Sequence, residues 1–228
     1  WMHNNMITIN GKKMGKSYNN VIKLSELFSG EHPLLAQPYH PMVVRFYILQ
    51  THYRSTLDFS NEALQGSEKA FRRLWEAFEV LQNLTHAGNA DATDKDLDAK
   101  VAAWSHECAD FMNDDLNTAK VIANLFEMAP VVNGMKGGQV PGNALSAQTF
   151  ALVKDTFHTY LVDILGMQPL QVQQTDKLDK VLSLLIEIRK DAKKRKDFAT
   201  SDLIRNQLAA SGVLLKDEKD GSVSYTIE

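Results

Sequence analysis

Between Ser60 and Leu84 the bulky residues Phe71, Leu74, Trp75, Phe78, Leu81 and Leu84 recur at spacings of three and four, and Arg72, Arg73, Glu76 and Glu79 fall between them. That period belongs to an α-helix with one apolar face and excludes a strand, whose faces alternate at every second residue. One striped helix cannot bury its own stripe, so other helices must supply the remaining walls of a core. Ser60 fits the N-cap of this helix.

The flanking segments read the same way. Residues 20–29 form a short apolar stretch, and Gly30, Pro33 and Pro38 then punctuate a loop. Pro41 suits the first turn of a helix that carries Val43, Val44, Phe46, Tyr47 and Leu49 towards Tyr53 and breaks over 54–59. A third helix is expected over about 95–112. A fourth follows Asn113-Asp114-Asp115, whose carboxylates suit a helix's positive end, and carries Ala119, Ile122, Ala123, Phe126 and Ala129. Four glycines and a proline between Asn133 and Asn143 predict loop; the next helix runs from about Ser146 to Leu165 and stops at Gly166. A glutamine-rich stretch at 168–175 reads as a linker. Two helices follow, over 177–196 and 198–210, and Asp220-Gly221 between two short apolar runs predicts a hairpin. The expected fold is mainly α: an antiparallel helical bundle and a small C-terminal α+β module.

Composition narrows the function classes. With 25 Lys+Arg against 28 Asp+Glu, a net charge of -3, and 44% apolar residues, the chain has the balance of a globular protein rather than a disordered or collagen-like one. Cys108 is the only cysteine, so an internal disulfide and a thiolate zinc cage are excluded and a reducing cytoplasm is the expected compartment. No window offers the roughly 18 apolar residues of a membrane span, and no leader pattern stands at the front. The chain starts Trp1-Met2-His3 and runs into the extended-looking Met6-Ile7-Thr8-Ile9, which leads us to expect a fragment from within a larger domain.

The most chemically loaded segment comes next. Gly11-Lys12-Lys13-Met14-Gly15-Lys16-Ser17 sets three ammonium groups, two glycines and a hydroxyl behind an extended run. Lysines offer point charges to a polyanion and glycines allow close backbone approach, so such a loop can close over phosphates. The P-loop spacing is absent, and a solvated basic turn is the competing reading.

Lys13-Met14-Gly15-Lys16-Ser17 resembles the KMSKS signature of class I aminoacyl-tRNA synthetases, with Gly15 in place of the usual serine. The change keeps a backbone N–H, removes a hydroxyl and adds flexibility. Trp1-Met2-His3 with its extended run, Arg45-Phe46-Tyr47, His52-Tyr53-Arg54-Ser55-Thr56-Leu57-Asp58-Phe59-Ser60, Asn113-Asp114-Asp115-Leu116-Asn117-Thr118 and Lys196-Asp197-Phe198-Ala199-Thr200-Ser201-Asp202-Leu203-Ile204-Arg205 are similar, in the same order, to segments of the cysteinyl-tRNA synthetases. The match covers nearly the whole chain.

The resemblance implies a parent enzyme that activates cysteine with ATP, taken as its magnesium complex, and transfers it to tRNA-Cys. The family's nucleotide-binding sheet, HIGH motif and zinc ligands would precede Trp1, so no metal site is expected here, and the isolated fragment is expected to be inactive as a ligase. Residues 1–39 would end the catalytic domain with the signature loop and a stem-contact region. Residues 40–167 would be a tRNA-binding bundle, 168–175 a linker and 176–228 an anticodon-binding module, the whole a cytoplasmic monomer. Lys16 would be the principal ATP contact, Lys13 its support, and Met14, Gly15 and Ser17 would shape the loop.

A tRNA enzyme with a negative net charge must cluster its cations. Residues 189–196 hold six basic groups against one acid, and we single out Arg189, Lys190, Lys193 and Lys194 as RNA contacts. Phe198, Asp202 and Arg205, spaced four and three apart, place a stacking ring, an acceptor and a bidentate donor on one helix face, the set needed to read an unstacked base; Asp217 would join them. The competing reading makes Phe198 core and the basic run a solubilising face. His52, Tyr53 and Arg54 fit a structural or a tRNA-stem role equally. His106 and Cys108 lack further ligand-type neighbours, Trp75 and Trp104 read as core, and Asp114 and Asp115 as caps. A stand-alone RNA-binding module and a helical protein-interaction scaffold remain the alternatives.

Overall fold

The structure, a computed structural model, describes residues 1–88, 91–170, 174–217 and 223–227, with the backbone alone at 174–180, 214, 217, 223, 224, 226 and 227. The chain divides into two compact units, Trp1–Leu170 and Gln171–Glu228.

The first unit opens with a small sheet. β1 (Ile7–Ile9) turns at Asn10-Gly11 into β2 (Lys12–Lys13), and α1 (Leu24–Ser29) and α2 (Pro41–Leu49) follow. β3 (Leu57–Phe59) then returns to pair with β1. β1 lies in the middle, with Thr8 opposite Lys13 on its antiparallel side and opposite Asp58 on its parallel side. Two expectations are corrected here. α2 ends at Leu49 rather than near Tyr53, and part of the expected break at 54–59 is a strand whose partner lies far back in sequence.

The bundle follows the apolar stripe. In α3 (Asn61–Asn83), Ser60 Oγ accepts the Ala63 N–H at 3.1 Å, and Phe71 and Leu74 are fully buried. α4 (Lys95–Asn113) and α5 (Thr118–Lys136) pack on each other, α5 also on α3, and α2 on α3. The cap of α5 is Asn117, which accepts the Lys120 N–H at 3.3 Å, and not the Asn113-Asp114-Asp115 run; Asn113 still belongs to α4. Nor is all of 133–143 loop, because α5 runs through Pro130 to Lys136. Gly134 serves close approach there: its carbonyl accepts the Val140 N–H at 3.0 Å, and a Cβ would stand 2.7 Å from Val140 Cγ2.

α6 (Ala147–Thr156) continues into a wide π-helical winding, Phe157–Ile164, whose i,i+5 geometry brings His158 within 3.1 Å of Asp163. Phe46, Phe71, Leu74, Leu125, Phe157 and Leu161 share the main core with no exposed surface. A second cluster, with Ile9, Leu27, Tyr39, Val44, Phe59 and Leu64, lies against the sheet. α2 contributes Phe46 to one cluster and Val44 to the other, so it joins the sheet with its loop to the bundle.

The second unit holds α7 (Gln174–Lys194), α8 (Phe198–Ala210), β4 (Val213–Asp217) and β5 (Val223–Ile227). The two strands pair antiparallel from Val213 opposite Ile227 to Asp217 opposite Val223. The Asp220-Gly221 turn lies outside the described residues. Asp197 caps α8 by accepting the Thr200 N–H at 3.1 Å. No helix among the described residues is long and apolar enough to cross a membrane.

Candidate functional site

The β1–β2 hairpin carries the basic loop and is fastened at its base. Asn10 and Gly11 both take left-handed φ, 50° and 74°, the conformation that a two-residue hairpin turn demands. From β3, Asp58 Oδ1 accepts the Thr8 hydroxyl at 2.6 Å and the Gly11 N–H at 2.8 Å. The Tyr47 hydroxyl donates to the Asp58 carbonyl, which ties this strand to α2.

Beyond the turn, Lys12 and Lys13 are exposed. Met14 donates its N–H to the Ile7 carbonyl at 3.2 Å and packs its side chain against the second core cluster, so it anchors the loop. Gly15 is extended, with φ −172°, and its N–H donates to Asn20 Oδ1 at 2.9 Å. Lys16–Tyr18 make a single 3-10 turn, with Lys16 and Ser17 exposed. Glycine at 15 therefore does not leave the loop without backbone partners.

An open cavity of about 660 Å³ lies beside the sheet. Its wall is mostly apolar, with Ile7, Ile9, Leu27, Leu49 and Leu57, and takes polar groups from Asn5, Thr51, His52 and Tyr53. Of residues 13–17 it is Met14 that lines this cavity.

Asp115 joins the sheet region to the bundle. The Tyr53 hydroxyl donates to its Oδ1 at 2.5 Å, Arg54 Nε lies 3.0 Å from its Oδ2, and His52 Nε2 is 3.2 Å from its carbonyl oxygen. Asp115 and Leu116 both take positive φ, 62° and 54°, a strained pair held by these contacts and by Thr118, whose hydroxyl donates to the Leu49 carbonyl at 2.7 Å. Asp115 is thus an ion-pair partner instead of a helix cap. Arg54, its neighbour, remains exposed.

In the second unit the expected RNA contacts separate. Arg189 is 3% exposed, which corrects its placement on an open basic face: it belongs to the interior. Lys193 and Lys194 close α7 with exposed side chains, and Lys190 is half-buried. Phe198 is 61% exposed, so it is not core, and Asp202 and Arg205 are exposed on the same helix, α8. The Asp217 side chain lies outside the described ones.

Other candidates take ordinary structural roles. Trp75 and Trp104 pack against the main core, and Trp75 Nε1 donates to Glu79 at 2.9 Å. Among the described residues no group of three or more His, Cys, Asp and Glu is placed to hold a metal ion. Sequence reading did not single out Asn20 or Asp58, and it named His52, Tyr53 and Arg54 without their shared partner Asp115. An asparagine and an aspartate near turns carry no local mark of what they will bond across the fold.

Two family models match the chain: the tRNA synthetases class I (C) catalytic domain over residues 1–69 and the DALR domain over residues 109–171. Along 97% of its length the chain is also 49% identical to a cysteine–tRNA ligase of Bacteroides fragilis and 50% identical to that of Bacteroides thetaiotaomicron. The chain is thus similar to the cysteine–tRNA ligases along nearly its whole length. Its similarity extends to the Chlorobium luteolum cysteine–tRNA ligase, at 37% identity. The chain spans 44% of the length of these relatives. On the cysteine–tRNA ligase pattern, the catalytic match covers the sheet, the basic loop and the start of α3, and the DALR match runs from the end of α4 past the π-helical winding.

Proposed function

We propose that this chain supplies part of a cysteine–tRNA ligase: a lysine loop for the triphosphate of ATP and surfaces for the tRNA. The observation that carries the reading is the pinned hairpin, which presents Lys12, Lys13 and Lys16 as exposed cations on one short, bonded segment. Fixed cations near a departing pyrophosphate stabilise charge that grows in the transition state, and they do so best when no reorganisation is needed. Lys16 is assigned the principal phosphate contact and Lys13 the supporting one; Met14 anchors, and Gly15 and Ser17 shape the loop. The apolar cavity wall supports the view that these residues form one side of a larger catalytic body, so the chain alone should not ligate. Residues 1–39 serve that body, 40–167 the tRNA stem and 176–228 the anticodon.

A chimera tests the loop. With this chain in place of the matching part of the Bacteroides fragilis relative, cysteine-dependent ATP–pyrophosphate exchange is expected to persist. Lys16→Ala in the chimera should slow adenylate formation about 100-fold while tRNA binding is kept. Unchanged single-turnover rates would remove Lys16 from its role.

For the tRNA, the exposed Phe198, Asp202 and Arg205 on α8 support base reading, with Lys190, Lys193 and Lys194 as phosphate contacts. Phe198→Ala is expected to weaken binding of tRNA-Cys about tenfold, as loss of one stacked base does. Equal losses with every tRNA would point to sequence-independent stacking instead of base reading, and absence of tRNA binding would favour a protein-interaction scaffold.

A further inference from the structure

An extended strand exposes the carbonyl of residue i and the N–H of residue i+2 on the same edge, where a neighbouring strand would normally pair with them. After β2 ends, Lys13 and Gly15 present this arrangement on the edge away from β1. Asn20 occupies the place of the missing strand. Its Nδ2 donates to the Lys13 carbonyl at 3.1 Å and its Oδ1 accepts the Gly15 N–H at 2.9 Å. A carboxamide is a peptide group on a side chain, so it satisfies both partners at once; an aspartate, a serine or an aliphatic residue cannot reproduce the pair.

The chain is shaped to deliver this contact. The 3-10 turn closes with Tyr18 N–H on the Gly15 carbonyl at 3.0 Å and Asn19 N–H on the Lys16 carbonyl at 3.1 Å. Asn19 takes φ 50°, which reverses the chain so that Asn20 points back at the segment it bonds. Asn20 is 8% exposed, although the lysines around it are open to solvent. A polar side chain so buried keeps its place only while its bonds are made, because breaking them there leaves unsatisfied groups.

We propose that Asn20 is a positioning residue of the lysine loop: by bonding the backbone on both sides of Met14, it presets the segment that carries Lys13 and Lys16. It adds no charge to the site and acts only through the order of these two residues. The proposal rests on the reading of the loop as a triphosphate site for its purpose, but the bonding itself is tested independently of that reading.

The test uses the 228-residue chain. Hydrogen exchange at the Gly15 amide and trypsin cleavage after Lys13 and Lys16 are followed in the natural chain, Asn20→Ala and Asn20→Asp. Asn20→Ala is expected to speed Gly15 exchange at least tenfold and to raise cleavage at both lysines, with the thermal midpoint of the bundle unmoved. Asn20→Asp, which still accepts from Gly15 but sets an oxygen against the Lys13 carbonyl, should fall between them and decides the matter if the alanine variant fails to fold. Gly15 exchange within twofold of the natural chain in both variants would overturn the proposal, as would a fall in global stability matching the local loosening. Magnesium–ATP is then added to digestion of the chimera with the Bacteroides fragilis relative, which carries the rest of the catalytic body. Protection of Lys16 in the chimera that weakens in its Asn20→Ala form supports positioning for the nucleotide. Faster Gly15 exchange without any protection by ATP leaves Asn20 as the loop's brace and sinks the triphosphate reading instead.

Discussion

Cys108 sits on α4 with no exposed surface, and its thiol donates to the Trp104 carbonyl at 3.3 Å. Burial, aided by the Glu107 carboxylate, pushes the thiol up to about 12, more than the hydrogen bond with Asn124 brings it down. A thiolate is the reactive form, so the native chain is expected to leave an aromatic disulfide reagent untouched at pH 8 and to react at once in denaturant. Rapid labelling of the folded chain would contradict this environment. Asp98 shows the opposite balance. Burial alone would raise its carboxyl, but the Ser146 N–H, donating at 2.8 Å, and the hydroxyls of Thr149 and Ser146 outweigh it and hold the group below its ordinary value. A depressed carboxyl contributes stability above the unfolded value of about 3.9 and loses it as pH falls through the folded value. Asp98→Ala should therefore cost about 1 kcal/mol near neutral pH, allowing for partial exposure, and little near pH 2. Urea midpoints across that range check it; a cost independent of pH would assign the loss to packing.

At the scale of elements, Gly166 is where the bundle's last winding ends. It takes φ 62°, and a Cβ would stand 2.9 Å from Arg45 Nη2, while Arg45 Nε donates to the Leu165 carbonyl at 2.7 Å. Gly166→Ala should cost about 2–3 kcal/mol, from left-handed strain and from displacement of the guanidinium. A smaller loss, read from urea denaturation, would mean that Arg45 moves aside freely. The stop at Gly166 was legible in the sequence, as were the Ser60 cap and the apolar stripe of α3, because each depends on residues close along the chain. The π-helical winding was not, since the same apolar residues serve either width of helix. β3 was not, because three residues gain a strand only by meeting β1. The cap of α5 was misread for a comparable reason: Asp115 is a good cap by type, but Tyr53, His52 and Arg54 engage it. In the candidate site, the exposed basic run at 12–16 could be anticipated from its charge, whereas the bonding of Asn20 depends on a chain reversal at Asn19. Arg189 looked like surface because its sequence neighbours are basic, yet the fold buries it.

For the whole molecule, the division into Trp1–Leu170 and Gln171–Glu228 leads us to expect unequal stability. The first unit holds the entire main core, with Phe46, Phe71, Leu125 and Phe157 among its fully buried residues. The second is near the size at which a domain of about 60 residues buries too little surface to be more than marginal. Exposed Val181, Leu184 and Ile188 on α7, and Leu203 on α8, reduce its apolar burial further. The second unit is therefore expected to unfold first in urea. The chain offers a built-in way to see this, because its three tryptophans, Trp1, Trp75 and Trp104, all lie in the first unit, while α7 and α8 contribute helical ellipticity. Far-UV circular dichroism should begin to fall at lower urea than tryptophan emission, with the two traces merging only in the second transition. Superimposable curves would show one cooperative body and would overturn the unequal division.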